Sequence, residues 1–153
     1  MKPVTILVIA LSSPVLVGVY EERKLIRVYE REGKTSELLP LIFKEILQEY
    51  HPIALAYAKG PGSYMAIKVS YLFLKTLSIL RNLPFYATDG FTFNNGEPIK
   101  AAGALYFIKK NGRISTQKLP EHSSKSEKFL LPEFLDHTRL EQDTLPMYLL
   151  PAV

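Results

Sequence analysis

Chemistry-capable positions concentrate in Lys59-Gly60-Pro61-Gly62-Ser63-Tyr64. The glycines permit backbone angles closed to other residues, and Pro61 stiffens the turn between them. Ser63 stands where its hydroxyl would cap a following helix. Such a turn gathers amide groups at the positive end of a helix, where an anion can rest. Gly60, Pro61, Gly62 and Ser63 are therefore a candidate anion or nucleotide turn. The block matches neither the Gly-x-x-x-x-Gly-Lys-[Ser/Thr] phosphate loop nor the Gly-x-Gly-x-x-Gly fingerprint. On spacing alone, a plain strand-to-helix turn is the preferred reading.

Other chemistry is sparse. His51, His122 and His137 have no mutual spacing suited to a metal site and read as surface or loop residues. His122-Ser123-Ser124, with Asp136, lacks the nucleophile elbow of a serine hydrolase. Glu21-Glu22 falls in a turn, and Asp89 follows a strand, where a turn-forming role is preferred to lining a cleft. There is no cysteine, which excludes disulfides, thiolate catalysis and cysteine-ligated metals. Neither a catalytic residue nor a metal or cofactor is expected.

The 153 residues suffice for one compact domain, with or without a small appendage. A hydrophobic content of 47% beside 22% charged residues is that of a globular protein. The net charge of +4 permits contact with RNA, yet the lysines and arginines are scattered and form no basic run. A solvated basic surface is the preferred reading. The opening Met1-Lys2-Pro3 and its apolar run read as a first core strand, with a weak signal peptide as the rival. No later stretch is long enough to span a bilayer, so a cytoplasmic protein without membrane contact is expected.

These positions need elements to hold them. Val4 to Ala10, Val15 to Tyr20 and Lys24 to Tyr29 read as three strands with short links, which requires antiparallel neighbours. Thr35 or Ser36 is expected to cap a helix running to about Tyr50, ended by His51-Pro52. A strand from Ile53 to Ala58, a helix from Ser63 to Asn82 and a short strand at Phe85 to Ala87 follow. This order suggests a mixed α/β sheet with helices packed on it. Beyond Asp89 the chain is rich in turn formers. Ala101 to Ile108 and Arg113 to Leu119 flank Asn111-Gly112, a strong hairpin signal. His122 to Lys128 reads as a polar loop and Leu145 to Pro151 as an extended apolar tail.

The helix after the glycine turn carries more apolar surface than one sheet can cover. At 100° per residue, Lys68, Lys75 and Asn82 share one narrow seam. Met65, Ile67, Val69, Leu72, Phe73, Leu74, Leu77, Ile79 and Leu80 occupy most of the rest. A helix lying on a sheet needs an apolar stripe of only about 100°. The surplus is expected to meet a partner in preference to the chain's own second half.

Three blocks carry a family resemblance: Ile6 to Ser12, Ser36-Glu37-Leu38-Leu39-Pro40-Leu41-Ile42, and Ala54 to Ser70 around the Gly-Pro-Gly-Ser turn. Together with Leu83-Pro84 and Pro146-Met147-Tyr148-Leu149 they resemble the TsaB (YeaZ) family of tRNA threonylcarbamoyladenosine biosynthesis proteins. The resemblance covers Val4 to about Asp89 and thins afterwards. It implies an actin/Hsp70-like ATPase (ribonuclease H-like) fold. Residues 1–89 would form the N-terminal subdomain and residues 90–153 a reduced C-terminal one, a hairpin plus tail. It also implies a non-catalytic scaffold that pairs, through two N-terminal helices, with a TsaD-like catalytic subunit. A TsaE-like ATPase joins that pair, tRNA is contacted indirectly through the complex, and the isolated protein forms a homodimer. The chain departs from the family pattern at Ala10, where an aspartate usually ends the first strand. It also departs at Lys68, in place of an arginine, and at Ser70, in place of a glycine.

The expected partner interface is accordingly Leu38, Leu39, Ile42, Ile46, Ser63, Tyr64, Ile67, Lys68 and Tyr71. The rival functions are residual nucleotide binding or hydrolysis at the Gly60 to Ser63 turn, and a direct tRNA-binding module.

Overall fold

A computed structural model describes residues 1–120 and 128–147. His122, Ser123 and Ser124, and the tail from Tyr148 onward, lie outside the described residues. Five strands form the larger sheet: β1 (Lys2–Ile9), β2 (Val15–Glu21), β3 (Lys24–Arg31), β4 (Tyr50–Ala58) and β5 (Phe85–Thr88). Their spatial order is β3-β2-β1-β4-β5. β1, β2 and β3 pair antiparallel, as their short links demand, whereas β4 and β5 join parallel to β1. The two helices, α1 (Thr35–Glu49) and α2 (Tyr64–Arg81), are the crossovers that parallel strands require.

β1 is buried on both faces, and its side chains alternate between two cores. Val4, Ile6, Val8 and Ala10 join Val17, Val19, Leu55 and Tyr57 under α1 and α2. Leu7, Ile9 and Leu11 join Leu16, Tyr20, Ala56 and Ala58 on the opposite face. The helices supply Leu39, Ile42, Phe43, Ile46 and Leu74 to the first core, and Phe43 meets Phe73 edge-on at 5.1 Å where α1 and α2 touch.

Residues 128–147 cover the second face as an irregular strap, although in sequence they lie far from it, in the second half of the chain. Phe129, Leu131, Leu135 and Leu140 pack there. The strap is fastened to both sheet edges. At β3, the Leu25 amide donates to the Glu133 carbonyl at 2.9 Å and the Leu135 amide to the Arg23 carbonyl at 2.8 Å. At β5, Ala87 and Glu141 exchange backbone bonds of 2.9 and 2.7 Å. Tyr20 adds a bond from its hydroxyl to the Pro132 carbonyl at 2.7 Å. Covering an edge this way also removes a template for unwanted strand pairing.

A second, smaller sheet follows: β6 (Ile99–Ala102), β7 (Leu105–Lys110) and β8 (Arg113–Lys118), all antiparallel. The expected Asn111-Gly112 hairpin is present, with both residues at positive φ as its turn requires. The segment from Ala101, expected as one hairpin arm, is instead divided by a turn at Gly103 between β6 and β7.

Three local expectations change. Neither Thr35 nor Ser36 caps α1. Lys34 holds that position without a side-chain bond, and its carbonyl accepts from the Glu37 and Leu38 amides. Ser63 does hold the cap position of α2, but its hydroxyl makes no capping bond. Pro52 does not stand outside the following strand, because β4 begins at Tyr50 and a register shift between Val4 and Thr5 absorbs the irregularity.

Candidate functional site

Three features of the structure bear on function. The first is the glycine turn, which sits at the carboxyl end of β4, where ligands gather in open α/β sheets. Here the chain itself fills the space. The Ser63 amide donates to the Leu11 carbonyl at 2.8 Å, and the Gly60 carbonyl accepts from the Gly90 amide at 2.8 Å. A Cβ at Gly62 would lie 2.7 Å from the Leu11 carbonyl oxygen. Gly60 has φ +126°, and a Cβ there would lie 2.9 Å from the Met147 carbonyl oxygen. Close backbone approach from two sides, and a positive φ at Gly60, explain the glycines. Pro61 is buried and has no amide to offer. The turn is thus a packing junction between β1, the strap and α2.

Lys59, directly before the turn, is buried. Its ammonium reaches the Glu141 carboxylate and the Asp143 carbonyl, each at 3.0 Å. Its backbone carbonyl accepts from the Met147 amide at 2.8 Å. The neighbouring Tyr57 hydroxyl donates to the Thr144 carbonyl at 2.5 Å. Ala10, where the resemblance implies an aspartate, is buried in the core beneath the helices.

The second feature is a polar cleft of about 690 Å³ beyond the carboxyl end of β5. Thr88, Asp89, Thr92 and Lys109 line one side, Thr138, Arg139 and Glu141 the other. Its two carboxylates are matched within the chain: Asp89 with Lys109, and Glu141 with Lys59. One oxygen of Asp89 also accepts from the Phe91 amide at 3.0 Å, the turn-forming role expected of it. Nearby, hydrogen bonds from the Thr138 hydroxyl and amide hold the Asp136 carboxyl below its ordinary range. Asp89 was the only part of the cleft visible in the sequence. Lys109 and the strap residues carry no local signal that would bring them to it. Among the described residues no group of three or more His, Cys, Asp or Glu side chains is placed to hold a metal.

The third feature is the outer surface of the helices. The expected interface residues divide sharply. Leu39, Ile42 and Ile46 on α1 and Ile67 on α2 are core residues, Ile67 being 1% exposed, and present no surface to a partner. Leu38 and Tyr71 are half-buried, and Ser63, Tyr64 and Lys68 are exposed. Beside Tyr64, the exposed large hydrophobic side chains of α2 are Met65 (63%), Leu72 (52%), Ile79 (69%) and Leu80 (77%). Met65, Leu72 and Ile79 recur every seven residues and so form one line along the helix, with Lys68 and Lys75 beside it. The chain's own strap lies on the opposite side of the sheet and leaves this line uncovered.

No family model matches the sequence, and no curated protein matches it. The fold, however, has counterparts among solved structures. YeaZ from Pseudomonas aeruginosa superposes with a TM-score of 0.56 at 14% identity, over 81% of this chain and 70% of that one. The architecture is of the YeaZ type. A second structure, an uncharacterized protein with similarity to peptidase YeaZ from the same organism, gives a TM-score of 0.55 at 14% identity, over 81% and 69% of the two chains. The YeaZ-type, actin/Hsp70-like arrangement of a mixed sheet with helices is the fold expected from the sequence. Among the described residues no helix is long and apolar enough to cross a membrane.

Proposed function

We propose that this protein is a non-catalytic scaffold subunit of a tRNA threonylcarbamoyladenosine-synthesis complex, binding a TsaD-like catalytic subunit through α1 and α2. The observation that carries the reading is the exposed line Met65, Leu72 and Ile79 on a helix of a YeaZ-type fold. Large apolar side chains left exposed along one helix face are what an interaction surface would offer. The contact residues are then Met65, Leu72, Ile79 and Leu80 with Tyr64, Lys68 and Tyr71 around them, and Leu41 on α1. A TsaE-like ATPase would join the pair, and tRNA would be met through the assembled complex.

Support for a scaffold in place of a nucleotide enzyme comes from two places. The glycine turn spends its Ser63 amide and its Gly60 carbonyl on its own chain, and an apolar Ala10 stands where the resemblance implies an aspartate. Titration calorimetry of the protein against the TsaD-like subunit from the same host tests the reading. Stoichiometric binding is expected, and titration with ATP and magnesium alone is expected to give no heat. Heat with nucleotide and none with the subunit would reverse the assignment.

A further inference from the structure

We infer that the outer face of the small sheet β6-β7-β8 holds the phosphate backbone of a folded RNA. The inference rests on the scaffold reading and gives the scaffold a task of its own, holding the RNA while the partner carries out the chemistry. Its ground is a separation of charge. Between Pro98 and Pro120 stand Lys100, Lys109, Lys110, Arg113 and Lys118, and none of the chain's 15 Asp and Glu residues. The positive excess of the whole chain therefore resides in this sheet.

Strand register sorts these cations by face. Ile99, Phe107 and Thr116 are cross-strand neighbours, and Ile99 and Phe107 pack inward with Phe91. Lys109, two residues beyond Phe107, shares that inner face and reaches Asp89. Lys100 pairs with Tyr106, and Lys110 with Arg113, on the opposite face. All three of these outer cations are exposed. Lys128, at the start of the strap, is exposed too and lines a cavity of about 150 Å³ together with Lys100. Among the described residues none of these four makes an ion pair. Their spacing in the sequence hides a common face that only the register reveals.

Charge this extended suits a polymer. The stretch of β7 from Tyr106 to Lys110 separates the two ends of the face by about 13 Å. One small anion cannot meet both ends, whereas a backbone charged at every nucleotide can. The surface between the ends favours phosphates over bases and over protein. Tyr106 is buried, so it offers no ring on which a base could stack. Ser115 and Gln117 are exposed and polar, where a protein partner would need an apolar centre.

Filter binding of tRNA from the same host to the full chain, at low salt, tests the inference without any partner protein. Lys100→Gln/Lys110→Gln/Arg113→Gln is expected to weaken binding about tenfold and to lower the slope of log affinity against log salt by about two to three. Lys2→Gln/Lys24→Gln/Lys34→Gln removes the same charge outside the sheet and is expected to cost at most about threefold. All six side chains are exposed, so both variants should melt close to wild type. Equal losses in the two variants, or none in the first, overturn the inference. Poly-glutamate that competes as well as tRNA at matched charge overturns the choice of RNA. Calorimetry with the TsaD-like subunit keeps the two readings apart. The sheet variant should bind that subunit as the wild type does, and a variant that loses the subunit along with tRNA overturns the assignment of this face to RNA. If the wild type fails to bind the subunit, the proposed function fails, while the filter-binding comparison still decides what the small sheet does.

Discussion

Single positions in this molecule are set by how closely the backbone packs and by which polar atoms find partners. Gly62 illustrates the first. A methyl group there meets the Leu11 carbonyl oxygen and Cβ at 2.7 and 2.8 Å, backbone-anchored atoms that cannot swing aside. Gly62→Ala is expected to cost about 2 kcal/mol in urea unfolding. Two tyrosines illustrate the second. The Tyr20 hydroxyl fastens the strap through the Pro132 carbonyl, and burial pushes its phenol above its ordinary range. The Tyr29 hydroxyl is buried and has no hydrogen-bond partner among the described residues, although Arg27 and Arg31 stand over its ring at 4.9 and 5.6 Å. Tyr20→Phe should therefore lose about 1 kcal/mol at neutral pH, and Tyr29→Phe should lose nothing or gain slightly. Because the folded value of Tyr20 is raised, its contribution is complete below about pH 10 and declines as pH climbs toward the folded value. Urea midpoints of wild type and Tyr20→Phe should accordingly converge in alkaline buffer.

Elements were legible where periodicity and punctuation agree. The three antiparallel strands, α1, β4, α2 and β5 follow from alternation, helical spacing and the Gly-Pro-Gly break, and all were readable in the sequence. The strap was not. It has no repeat, and its docking depends on two sheet edges that exist only after the sheet forms. The inward side of α2 was also hidden. A helix apolar around most of its circumference does not announce which side the sheet will take, and Ile67 and Leu72 look equivalent until Ile67 is found in the core and Leu72 at the surface. The candidate interface was therefore legible as a pair of helices and illegible as a list of contacts. A sharp contrast follows. Ile67→Asp should unfold the protein or cost about 4 kcal/mol, since it places a carboxylate among core side chains. Leu72→Asp should leave the thermal transition within about 1 kcal/mol of wild type. Circular dichroism melts of the two variants check this directly.

At the scale of the whole molecule, one sheet divides the chain's labour. The strap closes one face, the helices close the other, and among the described residues the outside of α2 keeps exposed apolar side chains. The sequence reported the surplus correctly, because composition around a helix does not depend on knowing its neighbours. The net charge of +4 is carried by lysines and arginines that form no basic run in the sequence. Isolated protein is expected to bind tRNA weakly and with strong salt dependence, as a filter-binding series would show. The most direct test of the central claim is titration calorimetry of Leu72→Glu/Ile79→Glu against the TsaD-like catalytic subunit, beside a thermal melt of the same variant. The account predicts a wild-type melt with no heat of binding; a folded variant that binds with undiminished affinity would contradict it.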